Sequence, residues 1–134
     1  MASTSWVELF TDGSCIGNPG PGGWAYLLRY NKHEKEGAGS VPETTNNRME
    51  LLAVVEGLKA LNQKCRVTIY TDSQWVYYGM TGRNKRKAHL DLWAELDELC
   101  EHHLDVLPNW VRAHNTHPEN NRVDEAAKKA ARNN

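Results

Sequence analysis

Asn47-Arg48-Met49-Glu50-Leu51-Leu52-Ala53-Val54-Val55-Glu56-Gly57-Leu58-Lys59-Ala60-Leu61 is where the pattern of the chain turns from strand to helix. Met49, Leu52, Val55 (with Ala53 beside it), Leu58 and Leu61 recur at three- and four-residue steps, the period of an amphipathic helix. Asn47 followed by Glu50 reads as a capping-box start. Before this helix the chain looks β-forming. Trp6 to Thr11 alternates and stops at Asp12-Gly13, while Trp24 to Tyr30 and Glu34 to Val41 form a hairpin about a polar turn near Asn31-Lys32. Gly17 to Gly23, rich in glycine and proline, reads as a loop. After the helix, Val67 to Thr71 is a short strand, with a short helix expected from Ser73. Leu90 to His103 is amphipathic through Leu92, Trp93, Leu96 and Leu99–Cys100. Val106 to Val111 is a last strand whose Pro108 suggests a sheet edge, and Asn121 to Arg132 is a closing helix. Strands alternating with helices imply parallel pairing, and the early hairpin adds antiparallel strands. The expected fold is α/β: a mixed five-stranded sheet, three strands antiparallel and two parallel, with helices on both faces.

The length of 134 residues suits one domain, 1–134, without internal repeat or linker. Cys15, Cys65 and Cys100 are odd in number and lack CxxC spacing, so free thiols in a reducing compartment are expected. No apolar run is long enough to span a membrane, and Met1 to Ser5 lacks the features of a signal peptide. These signs point to the cytoplasm. A net charge of −1 gives no hint of nucleic acid, so any basic surface must be local.

Four acids fall at the ends of elements. Asp12 closes the first strand, Asp72 closes the fourth, Glu50 lies in the first turn of the long helix, and Asp124 opens the last helix. Singly, each has an ordinary explanation. Asp12-Gly13 suits a turn, Glu50 a capping box, Asp72 a helix cap, and Asp124 the positive end of a helix dipole. Jointly they suggest more. If strands one and four are parallel neighbours, Asp12 and Asp72 emerge together at their carboxyl ends, where open α/β sheets place their sites. Clustered carboxylates repel unless a cation neutralises them. An all-oxygen donor set favours Mg²⁺ or Mn²⁺ over zinc, and two such ions about 3.5–4 Å apart can clamp a phosphodiester.

The words around those acids carry a resemblance. Phe10-Thr11-Asp12-Gly13-Ser14-Cys15-Ile16-Gly17-Asn18-Pro19-Gly20, Thr44-Thr45-Asn46-Asn47-Arg48-Met49-Glu50-Leu51, Tyr70-Thr71-Asp72-Ser73-Gln74 and Trp110-Val111-Arg112-Ala113-His114, with His117-Pro118-Glu119-Asn120 through to Asp124, all resemble type 1 ribonuclease H, in that family's order. The resemblance runs from about Trp6 to Arg132. It implies a ribonuclease H-like fold and a metal-dependent endoribonuclease that hydrolyses the RNA strand of RNA–DNA hybrids, leaving 5′-phosphate and 3′-hydroxyl ends. It also implies that Asp12, Glu50, Asp72 and Asp124 hold two Mg²⁺ ions, with Asp12 bridging them and Mn²⁺ a plausible substitute. His114 matches the family histidine that moves protons or helps release product, a task its ordinary pKa suits. His117 is read as structural.

Selection of hybrid must come from the 2′-hydroxyl. By resemblance, Cys15, Asn18, Asn46 and Gln74 would line the minor groove, and Thr45 would hold a DNA phosphate. Turn and cap chemistry is the plainer role for Asn18, Thr45 and Asn46. The chain departs from many bacterial relatives between Asp72 and Leu92-Trp93, where a helix and basic protrusion are replaced by the shorter run Arg83-Asn84-Lys85-Arg86-Lys87. Arg83, Lys85, Arg86 and Lys87 are candidate substrate contacts, with a solvated loop as the alternative. A hybrid duplex is the expected partner. No membrane or obligatory protein partner is expected, and a monomer is. Two other readings stay open: the ribonuclease H domain of a reverse transcriptase cut free, and a hybrid-binding module without catalysis.

Overall fold

The computed structural model describes residues 6–112 and 118–134. Strands β1 (Val7–Cys15), β2 (Gly20–Tyr30) and β3 (His33–Thr44) come first, followed by helix α1 (Asn46–Lys59). Strand β4 (Arg66–Thr71), helices α2 (Gln74–Thr81) and α3 (Leu90–His102), strand β5 (Asp105–Trp110) and helix α4 (Pro118–Arg132) complete the order. The sheet runs β3-β2-β1-β4-β5. β1–β2 and β2–β3 pair antiparallel, while β1–β4 and β4–β5 pair parallel, as the succession of hairpin and crossovers predicts.

Strand alternation divides the core. Leu9, paired with Leu28, faces one side with Val7, Val67 and Ile69, where Leu51, Val54, Val55, Leu58, Trp93 and Leu96 cover them. Phe10, paired with Leu27, faces the other side with Ala25, under Val123 and Ala127 of α4. Helices therefore lie on both faces. The closing helix sits so near β2 that a Cβ on Gly23 would lie 2.3 Å from the Ala127 carbonyl oxygen. Charge fixes its start, since Arg29 donates to Glu119 at 2.6 Å and Arg122 pairs with Glu34 and Glu36.

Several expectations need correction. The cap of α1 is Thr45, whose hydroxyl accepts from the Arg48 N–H at 3.3 Å; Asn47 lies inside the helix, and Glu50 takes no part in capping. The buried face of α1 centres on Leu51, Val54, Val55 and Leu58, so Leu52 sits at its border. The expected stripe of Met49, Leu52, Val55, Leu58 and Leu61 is thus rotated towards Leu51 and Val54. Gly20 to Gly23 belong to β2, because Gly22 and Gly23 pair with Cys15 and Ser14. The strand β1 likewise continues past Asp12. Ser73, not Asp72, caps α2 by accepting from the Val76 N–H at 3.1 Å. Asp124 lies well inside α4, which begins by Pro118. Pro108 stands on edge strand β5, where a missing N–H is tolerated.

Candidate active site

The β1–β4 register places the first two acids. Phe10 lies opposite Tyr70 in a parallel pair, so two residues further along both strands Asp12 comes beside Asp72. Glu50 is brought in by the close approach of α1 to β1. A Cβ on Gly13 would lie 2.4 Å from the Glu50 nitrogen and 2.4 Å from the Met49 carbonyl carbon, so only glycine allows this contact. The Gly13 N–H also donates to Glu50 Oε1 at 3.0 Å, which orients the carboxylate. One carboxylate oxygen from each of Asp12, Glu50 and Asp72 lies within 4.8 Å of the other two.

Asp124 stands beside this trio and not within it. Its carboxylate is near enough to act on Asp12 and Asp72, while its Oδ2 pairs with Lys128 Nζ at 3.1 Å. Burial and then the charges of Asp72 and Asp124 push the Asp12 carboxyl up to about 9. Burial, with Asp12 and Asp72 nearby, raises Glu50 well above the usual carboxylate range. Asp72 is raised by burial and by Asp124. Three carboxylate oxygens within 4.8 Å of one another that resist ionisation together form a donor set suited to a hard divalent cation. The ordinary explanations for Asp12, Glu50 and Asp72 do not describe what these side chains do.

The expected substrate residues divide into two groups. Asn18 Oδ1 accepts from the Asn46 N–H at 2.9 Å, tying the β1–β2 loop to the start of α1. Cys15 Sγ lies 3.3 Å from the Thr44 carbonyl oxygen and 3.5 Å from that of Gly20. Thr45 is occupied as the cap. Cys15, Asn18, Thr45 and Asn46 thus share one neighbourhood, and Gln74 is exposed on the first turn of α2. Arg83, Lys85 and Lys87 are exposed beyond the other end of α2. Arg86 is different. Its guanidinium binds both oxygens of Asp97 at 2.9 and 2.7 Å, donates to the Gly79 carbonyl at 3.0 Å and lies 4.3 Å from the Trp93 ring centre. Arg86, expected as a substrate contact, thus has its Nε and Nη1 engaged within the protein, on Gly79 and Asp97. His114 and His117 lie outside the described residues.

The RNase H family model matches residues 4–132. The chain belongs to the ribonuclease H family. A ribonuclease H of Hydrogenovibrio crunogenus is 51% identical over 92% of this chain and 94% of its own. One of Pelobacter propionicus is 49% identical over 96% of this chain and 86% of its own. Among solved structures, the N-terminal RNase H domain of a Mycobacterium tuberculosis protein superposes with a TM-score of 0.85 at 25% identity, covering 95% of this chain and 94% of that one. LC11-RNase H1, solved in complex with an RNA/DNA hybrid, has the same fold, with a TM-score of 0.79 at 22% identity and coverage of 95% and 97%.

Two residues that shape the site of this ribonuclease H family member escaped sequence reading. Arg48 reaches from α1 to both Asp91 oxygens at 3.1 and 2.7 Å and lies 3.3 Å from His89 Nδ1, fastening the acid-bearing helix to α3. The only signal was its place beside Glu50 in the second motif. Trp110 Nε1 donates to the Asp72 carbonyl oxygen at 3.1 Å, holding the backbone of the third acid from β5. No local pattern announces that bond.

Proposed function

We propose that this chain is a metal-dependent endoribonuclease that hydrolyses the RNA strand of RNA–DNA hybrids to 5′-phosphate and 3′-hydroxyl products. The observation that carries the reading is the carboxylate trio of Asp12, Glu50 and Asp72 at the point where β1 and β4 lie side by side. Family membership supports it, as does the hybrid bound by LC11-RNase H1, a protein of the same fold.

The trio, with Asp124, would hold two Mg²⁺ ions, for which Mn²⁺ is a fitting substitute. Bound there, such ions supply charge neutralisation and an activated water at a phosphodiester. The chain's own part is positional. The Gly13 N–H fixes Glu50, the Trp110 indole fixes the Asp72 backbone, and Lys128 keeps a cation beside Asp124. The loop joined to α1 by Asn18 and Asn46 would offer Cys15, Asn18 and Asn46 to the minor groove, where 2′-hydroxyls mark the RNA strand. His114 would carry a proton near neutrality.

A gel assay on end-labelled hybrid with Mg²⁺ or with chelator tests the reading. RNA-strand cleavage only with metal, and none of duplex DNA, is expected. Binding without cleavage in Mg²⁺ and Mn²⁺ alike would leave a hybrid-binding module. His114→Ala should lower kcat by about 10²–10⁴-fold with metal binding intact; a loss of metal affinity would assign it to the metal site instead.

A further inference from the structure

A cavity opens against Trp110, with none of the carboxylate trio in its lining. It encloses about 310 Å³ between α2 and β5 and is lined by Tyr77, Tyr78, Arg83, Asn109 and Trp110. Trp110 connects the two places, since the indole that borders this cavity is bonded to the backbone of Asp72. The Tyr77 and Tyr78 rings lie 5.8 Å apart at 56°, making a cleft and not a flat wall. The Arg83 guanidinium sits 5.1 Å above the Tyr78 ring centre, so a planar cation is held at the cavity edge. Among the described residues no carboxylate pairs with Arg83, whereas nearby Arg86 is paired with Asp97. Trp110 remains 39% exposed.

Flat π surfaces, an uncommitted guanidinium and a carboxamide together match the parts of a nucleotide. Aromatic rings and guanidinium planes stack on bases, and arginine also binds phosphate. In a duplex the faces of a base are covered by its neighbours, so only an unpaired base can enter an aromatic cleft. We infer that this cavity receives an unpaired nucleotide from a single-stranded segment flanking the hybrid, and so favours hybrid that borders single strand. The inference rests on the hybrid-cleaving function proposed above and names a feature of its substrate.

Fluorescence anisotropy in chelator, where no cleavage occurs, measures the effect on the intact protein. Labelled hybrids would be blunt or extended by a few unpaired nucleotides at each of the four strand ends in turn. An extension at one or more ends should tighten binding about fivefold or more, the usual worth of a stacked base. The same extension built from abasic nucleotides should lose that gain, although its phosphates remain. Tyr77→Leu and Tyr78→Leu, which keep bulk and remove the ring, should lose it too, with melting curves to confirm that the variants fold. Equal binding of blunt and extended hybrids at all four ends would overturn the inference, and so would a gain fully retained by the abasic extension. Cleavage of blunt hybrid in Mg²⁺ is scored separately. If that fails, the function is wrong; if it succeeds without any gain from extension, only the cavity assignment is wrong.

Discussion

Asp12 is 4% exposed and faces two other carboxylates, an arrangement that opposes folding when no cation is bound. Its carboxyl is raised from 3.8 to about 9 by burial first and neighbouring charge second. The folded state therefore holds a proton that the unfolded chain has released between about pH 4 and 9, and the metal-free protein loses stability as pH rises through that window. Asp12→Asn removes this ionisation. In chelator the variant should melt several degrees higher than the parent near pH 8, and the gap should narrow steadily as pH falls towards 4, where Asp12 becomes neutral in the unfolded chain as well. In Mg²⁺ the same variant should lose nearly all hydrolysis. Melting curves across pH and a cleavage assay check the two halves; near-normal turnover by Asp12→Asn would refute the assignment of the trio.

The segment between α2 and α3 shows how an element's role depends on its partners. Its run Arg83-Asn84-Lys85-Arg86-Lys87 looks like one basic cluster, yet Arg86 is folded back onto Asp97, Gly79 and Trp93. A Cβ on Gly79 would lie 2.3 Å from the Trp93 ring, so α2 and α3 approach closely where Arg86 spans them. An exposed ion pair contributes up to about 1 kcal/mol and a cation–π contact about 0.5–1 kcal/mol. Arg86→Gln should therefore cost about 1–2 kcal/mol of stability with little change in kcat. Arg86→Lys should recover only part of it, since a single ammonium cannot reproduce the planar fork. Urea denaturation of both variants measures this. An Arg86→Gln protein of unchanged stability but raised KM would return Arg86 to the substrate.

Across the whole molecule, charge nearly cancels at −1, so attraction to a polyanion must come from local surface. Arg83, Lys85 and Lys87 are exposed, and none of them has an ion-pair partner among the described residues. Each phosphate contact steepens the loss of affinity with salt by about 0.9 in log–log slope for a B-form duplex. Lys85→Gln with Lys87→Gln should raise KM for hybrid and flatten its dependence on salt, while kcat stays nearly constant because ground and transition states are held alike. A KM series from low to physiological salt decides it. Parallel lines with equal KM would make the segment a solvated loop.

Much of this protein is written in local sequence. The long helix (though not its cap), the Asn31-Lys32 turn, the edge position of Pro108 and the four motif words all depend on residues close in the chain, where periodicity and turn chemistry act directly. These marks were enough to anticipate the mixed sheet and to single out Asp12, Glu50 and Asp72. Other properties wait on packing. The periodicity picked Met49, Leu52, Val55, Leu58 and Leu61 as the stripe of α1, whereas the packed helix buries Leu51 and Val54 and leaves Leu52 and Leu61 only partly covered. Glu50 reaches Asp12 because Gly13 carries no side chain where α1 crosses β1. Arg86 leaves the basic surface because α3 brings Asp97 and Trp93 beneath it, and Trp110 holds Asp72 because β5 pairs with β4. Those contacts join residues far apart in the chain, so no local pattern can encode them; only the folded sheet and its covering helices bring the partners within reach.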